Sequence, residues 1–332
     1  MSAEDRRETL PVSGSGPVAD GEQAAELACR LRSLKEGGAA VLDAVALGVK
    51  AVPLLRELLF ERDSAGIFAP RQRAVKALAA LDLPGVLREF VERWEPAADP
   101  VERLGDEAVL GTAARALAAG RDQSAYPLLC ATARRHRVPG VIEALGAYRR
   151  AESAPLLIAA LEDDCAAGAA EEALRALGRG ILSPLTDTAS RPATGLSGGE
   201  TPSSRRRRLS ALRLLLELGA SRDVWEKLAG LVEERDHEIA ALACRLGLVT
   251  AGDEGKRLCA RRLVALLPWL GWPQRQEAEE SLAANLAFAA EFVEQALAAS
   301  AAGPESLRLG RWLRRVKAKA LAAEPPAARR RL

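Results

Sequence analysis

Apolar and polar positions along the chain follow a helical period in short blocks, most regularly between Val138 and Leu185. There Val141, Leu145 and Tyr148 share one helix face. Leu157 with Leu161, beside Leu156 with Ala160, make another. Polar turns separate the blocks, and related copies lie on both sides: Val41–Leu59, Val75–Val91, Ala114–Cys130, Ile142–Leu161 and Ala173–Leu185. Each pairs a small-plus-leucine helix with a turn and a second helix that a proline opens. The prolines are Pro53, Pro84, Pro127, Pro155 and Pro184, at intervals of 31, 43, 28 and 29. The long interval holds an insertion, Glu92–Asp106. A proline in the first helical turn sacrifices no hydrogen bond and arrives with φ preset. Ser183 and Asp164 are placed to cap the helices at Pro184 and near Cys165.

Neither helix of such a pair buries its stripe alone; stacked on its neighbours it shares a continuous core. A period of about 30 residues therefore predicts an all-α solenoid of about seven or eight antiparallel helix pairs. Downstream, Leu209–Leu218 ends at Gly219 and Ile239–Leu246 ends at Gly247, with partner helices Val224–Glu234 and Glu254–Leu267. A long helix, Gln276–Ala299, follows, and Gly303-Pro304 breaks it. The layout predicted is a disordered tail over 1–21, a first solenoid segment over 22–185, a flexible loop over 186–204 and a second segment over 205–303. A basic capping helix over 304–323 and a basic tail over 324–332 complete it.

Composition sharpens this picture. Apolar residues make up 48% of the 332 and aromatics only 4%, so the core is mostly Ala and Leu, strong helix formers that let backbones approach. The formal charge of +2 hides an asymmetry: residues 1–300 hold 38 basic and 43 acidic side chains, whereas 301–332 hold 9 and 2. The body is mildly acidic and the C-terminus basic, the pattern of an interaction tail. Cys29, Cys130, Cys165, Cys244 and Cys259 are scattered with no CxxC, as expected of reduced, buried thiols in a cytoplasmic protein. The longest charge-free apolar run, Leu263–Pro273, falls short of the roughly 18 residues that span a bilayer. No transmembrane segment and no signal peptide are expected.

The ALxxLG-like helix ends at Ala144–Gly146 and Ala173–Gly178, with the PLL starts at Pro53–Leu55, Pro127–Leu129 and Pro155–Leu157, resemble the HEAT-repeat family, in particular the short bacterial HEAT-like repeats also found in phycobilisome lyases. The resemblance covers about residues 39–185, weakens over 205–267 and is absent from the tails. It implies an armadillo-type α-solenoid with a concave protein-binding surface. A few relatives are enzymes, namely bilin lyases and helical-repeat DNA glycosylases, but no catalytic motif of either maps onto this chain.

Candidate chemistry is sparse. His136 and His237 lie far apart, without a nucleophile at a recognisable spacing. No Cys/His cluster suits a metal, no Gly-rich loop suits a nucleotide, and no cofactor is expected. Glu162, Asp163, Asp164, Glu171 and Glu172 form an acidic ridge, read as a solvated turn or an acceptor for a cation or basic peptide. The run Arg205, Arg206, Arg207, Arg208 could clamp phosphate or an acidic partner. In the C-terminal helix, Arg308, Arg311, Arg315 and Lys319 share one face while Leu309, Leu313, Val316 and Ala320 mark a narrow apolar face, which suits either a solenoid cap or a nucleic acid or anionic surface. Trp269 and Trp272, in a proline-flanked turn, are either an exposed interface anchor or a plug between repeats, and Trp94 poses the same choice. The expected function is a non-catalytic cytoplasmic scaffold or adaptor that binds a protein partner on its concave face. The alternatives are nucleic-acid binding through the basic C-terminus and the 205–208 run, and a solenoid enzyme resembling a lyase or glycosylase.

Overall fold

All five repeat prolines sit in the first turn of a helix, as their missing N–H groups require. In the computed structural model Pro84 is the first residue of its helix, Pro53 and Pro155 the second, and Pro127 and Pro184 the third. The structure describes residues 17–195, 198–299, 310–311, 313–316 and 318, without the side chains of 17–21. The protein is all-α and 80% helical, and its helices pack mainly against neighbours in sequence. The chain divides into two compact units between Thr132 and Ala133.

The first unit contains α1 (Pro17–Arg32), α2 (Gly37–Leu47), α3 (Val52–Phe60), α4 (Ala69–Ala80), α5 (Pro84–Arg93) and α6 (Pro100–Ala119). α2, α4 and α6 stack side by side, while α3 and α5 pack beside them as a second layer. The division falls within α7 (Ala125–Arg135). The second unit follows the same rule. α8 (Pro139–Tyr148), α10 (Ala167–Leu177), α12 (Pro202–Glu217), α14 (His237–Thr250) and α16 (Trp272–Ala284) touch in succession. α9 (Ala154–Ala160), α11 (Leu182–Ser190) and α13 (Arg222–Leu228) form one run of the second layer, and α15 (Asp253–Leu266) contacts α17 (Leu286–Ala299). The predicted stripes face inward: Val141, Leu145, Leu157 and Leu161 are fully buried. Each such leucine contributes about 2 kcal/mol of burial.

Several boundaries differ from expectation, each for a local reason. α1 starts at Pro17 rather than Glu22. Ile181 rather than Ser183 precedes α11, and Asp163 rather than Asp164 accepts from the N–H groups of Cys165 and Ala166. The insertion at 92–106 is largely the start of α6, which Asp99 caps and which runs for 20 residues. Its Trp94 is buried. The 186–204 loop shrinks to 191–201, because α11 continues to Ser190 and α12 starts at Pro202. The predicted helix 276–299 is broken at Asn285, and α16 and α17 meet at 118°. Gly219 ends its helix as expected, at φ +69°. Gly247 does not: α14 runs on to Thr250, and a Cβ at this position would collide with Cys259 Sγ and the Trp225 ring. It is a packing notch, invisible in a linear pattern. Two of the five thiols, Cys29 and Cys165, are exposed rather than buried.

Gly37–Phe60, comprising α2, a 3₁₀ turn and α3, is long and apolar enough to cross a membrane by length and composition alone. Asp43 and Lys50 interrupt it, so a count of uncharged residues passes over it. Asp43 pairs with Arg30 at 2.6 Å, Arg56 pairs with Glu89, and the stretch packs on α1 and α4.

Candidate interaction sites

The helices that open at Pro139, Ala167, Pro202, His237 and Trp272 stack in order, and contacts between their opening turns tie most of the candidate residues of the second unit together. Thr201 caps α12 by accepting from the Ser204 N–H, so Arg205–Arg208 lie inside the first two helical turns rather than at the end of a loose loop. That geometry spreads the four guanidiniums in different directions, and each meets a partner. Arg206 donates to the Glu162 carbonyl at 2.5 Å and pairs with Asp164 at 2.5 Å. Arg207 pairs with the Glu162 carboxylate at 2.5 Å, which also lies 3.6 Å from Arg137. The basic run and the acidic ridge are thus, in part, each other's partners, and Glu171 of that ridge accepts from the Ser210 hydroxyl.

Arg208 is only 1% exposed. Its Nε donates to the Ala189 carbonyl at 2.8 Å, and its terminal nitrogens reach Glu200 at 2.7 Å and Glu234 at 3.1 Å. Glu200 also accepts from the Ser204 hydroxyl, which in turn accepts from the Ala193 N–H. Together with the Thr194–Glu200 bridge, these bonds hold 193–195 and 198–201 against the start of α12. A fully buried cation needs such compensation. Arg208 is therefore a structural bolt and not a contact for an outside ligand.

Arg205 extends the ladder to the next helix. It bonds both carboxylate oxygens of Asp236 and reaches Glu238 at 3.0 Å. Asp236 caps α14 through the N–H groups of Glu238 and Ile239. Burial acts to raise the Asp236 pKa, but Arg205 and those N–H donors outweigh it and hold the carboxyl below its ordinary value. Arg205 is raised, chiefly by its hydrogen bond to Asp236.

The next residue, His237, lies against Trp269, with ring centroids 5.5 Å apart. Trp269 and Trp272 are each 70% exposed. Leu270 between them is buried, which pins the turn to the core and turns both indoles outward. Trp272, Arg275, Gln276, Glu279 and Arg315 line a shallow cavity of about 120 Å³. Arg315 pairs there with the buried Glu279 at 3.0 Å and so brings the basic C-terminal helix to the tryptophan turn. In that helix Leu313 and Val316 are buried in one core cluster with Ala278, Leu282, Ala289 and Val293, while Arg311, Arg314 and Arg315 are exposed. Arg308 and Lys319 lie outside the described residues.

The chain matches no protein-family model and no curated protein. Its geometry therefore carries the functional argument alone. Among the described residues no three His, Cys, Asp or Glu side chains converge as a metal site. Cys244 and Cys259 meet in the core, where a mutual hydrogen bond and burial push the Cys244 thiol up, away from the reactive thiolate.

Sequence reasoning passed over one surface in the first unit. Ile67, Val101 and Leu104 are all exposed. A Cβ on Gly66 would touch Val101 and one on Gly105 would touch the Phe68 ring, so the loop 61–68 lies directly on the first turns of α6. Beside it opens a cleft of about 330 Å³ lined by Arg32, Glu61, Arg62, Asp63 and Ile67, with the buried Arg71 on its wall. Arg71 pairs with Asp106, which is fully buried and also lies 3.1 Å from Arg62. The available signal was the insertion at 92–106, which breaks the repeat where α6 gains this extra length.

Proposed function

We propose that this chain is a non-catalytic scaffold or adaptor, an α-solenoid of HEAT-like helix pairs that holds a protein partner. Within each unit the contacts run mainly between helices close in sequence, along α2, α4 and α6 in the first and α8, α10, α12, α14 and α16 in the second, which supports the stacked-pair reading. The binding reading rests on one observation: Ile67, Val101 and Leu104 expose adjoining apolar side chains beside a charged cleft. Exposed apolar patches with polar rims mark contact surfaces. A concave face was the first expectation; this loop surface is the better-supported one. The nucleic-acid alternative draws no support from Arg205–Arg208, whose partners are internal.

The test is chemical cross-linking and capture in the source cell, run in parallel with the wild type and with Ile67→Asp and Leu104→Asp. One protein recovered with the wild type and lost with both variants is expected. Identical recovery from all three, or no protein partner at all, would overturn the proposal.

A further inference from the structure

The C-terminal end of the second unit combines two features that belong to different elements. The first is the turn between α15 and α16, where Pro268, Trp269, Gly271, Trp272 and Pro273 are all exposed around the single buried Leu270. It is a protrusion anchored from beneath. The second is the basic helix across 310–318. Its described residues Leu313 and Val316 are buried in the core cluster. Arg311 and Arg314 are exposed, Arg315 is exposed beside them while paired with Glu279, and the sequence carries no acidic residue from 306 to 323. Arg315 and Trp272 line the same cavity, which places the two features side by side. Of the acids nearby, Glu279 pairs with Arg315 and Glu277 with Arg245, while Glu280 accepts from the neutral Gln276 amide.

We propose that this end of the protein docks on the surface of an anionic lipid bilayer. Trp269 and Trp272 seat at the boundary between headgroups and acyl chains, and Arg311, Arg314 and Arg315 lie over acidic headgroups. An indole has an apolar body and one N–H donor, and it favours that boundary over both water and hydrocarbon. Clustered cations beside it are drawn to the negative surface potential. The shape selects the bilayer over other anionic partners. The turn is exposed, and the cavity that Trp272 lines measures about 120 Å³, against the roughly 300–1,000 Å³ of typical ligand pockets. A peptide or a flipped base needs a groove; a fluid interface accepts a projection. The inserting element is thus the turn, and Arg311, Arg314 and Arg315 of the basic helix contribute charge.

The experiment is co-sedimentation of the full chain with vesicles of equal phosphatidylglycerol and phosphatidylcholine, and with phosphatidylcholine alone, while tryptophan emission is followed. Binding to the anionic vesicles with a blue shift, weak binding to phosphatidylcholine, and release in about 1 M salt, where screening is within roughly 3 Å, are expected. W269A/W272A should weaken binding at least about tenfold, the loss of two buried indoles, and R311Q/R314Q should weaken it less. Brominated lipid should quench the wild-type emission, a readout that needs no variant. No sedimentation with anionic vesicles at low salt overturns the proposal. So does undiminished binding by W269A/W272A, which would place the contact elsewhere, for instance at Gly37–Phe60. Tight binding of a single-stranded oligonucleotide with no vesicle binding would assign the surface to nucleic acid instead.

Discussion

Arg205–Arg208 and Trp269–Trp272 both interrupt the repeat with side chains that suit a partner, yet the fold treats them oppositely. The arginines enter a helix, whose geometry sends four consecutive side chains in four directions, and each finds a carboxylate or carbonyl on its own chain. The tryptophans sit on a turn held down by Leu270 and meet little but His237 and the edge of one cavity. A charge run inside a stack of helices has many chances of internal compensation, because acidic side chains stand just before the neighbouring helices, Glu162 and Asp164 ahead of α10 and Asp236 ahead of α14. A large apolar ring on a turn has none unless another segment covers it.

Breaking the arginine side of this contrast should have the largest effect. Arg208→Ala strands Glu200, Glu234 and the Ala189 carbonyl, and a loss of about 3–5 kcal/mol in urea unfolding is expected. A loss under about 0.5 kcal/mol, the scale of an ordinary surface change, would return Arg208 to the pool of ligand contacts. The middle effect concerns Asp236. Asp236→Ala removes a helix cap and should cost about 1–2 kcal/mol. The Asp236 carboxyl is held below its ordinary value, so its contribution is complete above about pH 4 and disappears as pH falls through the lower native value. Asp236→Asn keeps a capping oxygen and should flatten that part of the acid limb; an unchanged acid limb would show that the Arg205 contact does not hold the carboxyl.

The smallest stability effect belongs to the tryptophans. Trp269→Ala and Trp272→Ala should each change unfolding free energy by no more than about 0.5 kcal/mol. The emission should change instead: both exposed indoles emit to the red, whereas Trp94 and Trp225 are buried. The double variant should therefore emit further to the blue than the wild type. A large loss of stability would mean that the indoles support the turn rather than project from it.

Much of the frame was legible in the sequence because it depends on local rules. The first-turn prolines and the 3.6-residue stripes of Val141, Leu145, Leu157 and Leu161 follow from backbone geometry and hydrophobic burial. The departures arose where a neighbouring helix intervened. Gly247 reads as a stop and acts as a notch for Trp225 and Cys259. The insertion at 92–106 reads only as a break in the repeat and in the fold lengthens α6, and Asn285 turns one predicted helix into two. Of the ten residues singled out for binding, Trp269 and Trp272 are exposed, Arg205–Arg208 are internally paired, Arg311 is exposed, Arg315 is exposed and paired with Glu279, and Arg308 and Lys319 fall outside the described residues.

The sequence by itself determined the class and rhythm of this protein: helices, their approximate lengths and the prolines that start them. Those are properties of a segment and its own stripe of side chains. Whether a charged or aromatic residue remains available was decided only in the tertiary structure. Availability depends on what the adjacent helices place within about 3 Å, the reach of a hydrogen bond, and no linear spacing records that. Glu162 lies more than 40 residues from Arg206 and Arg207 and receives a bond from each.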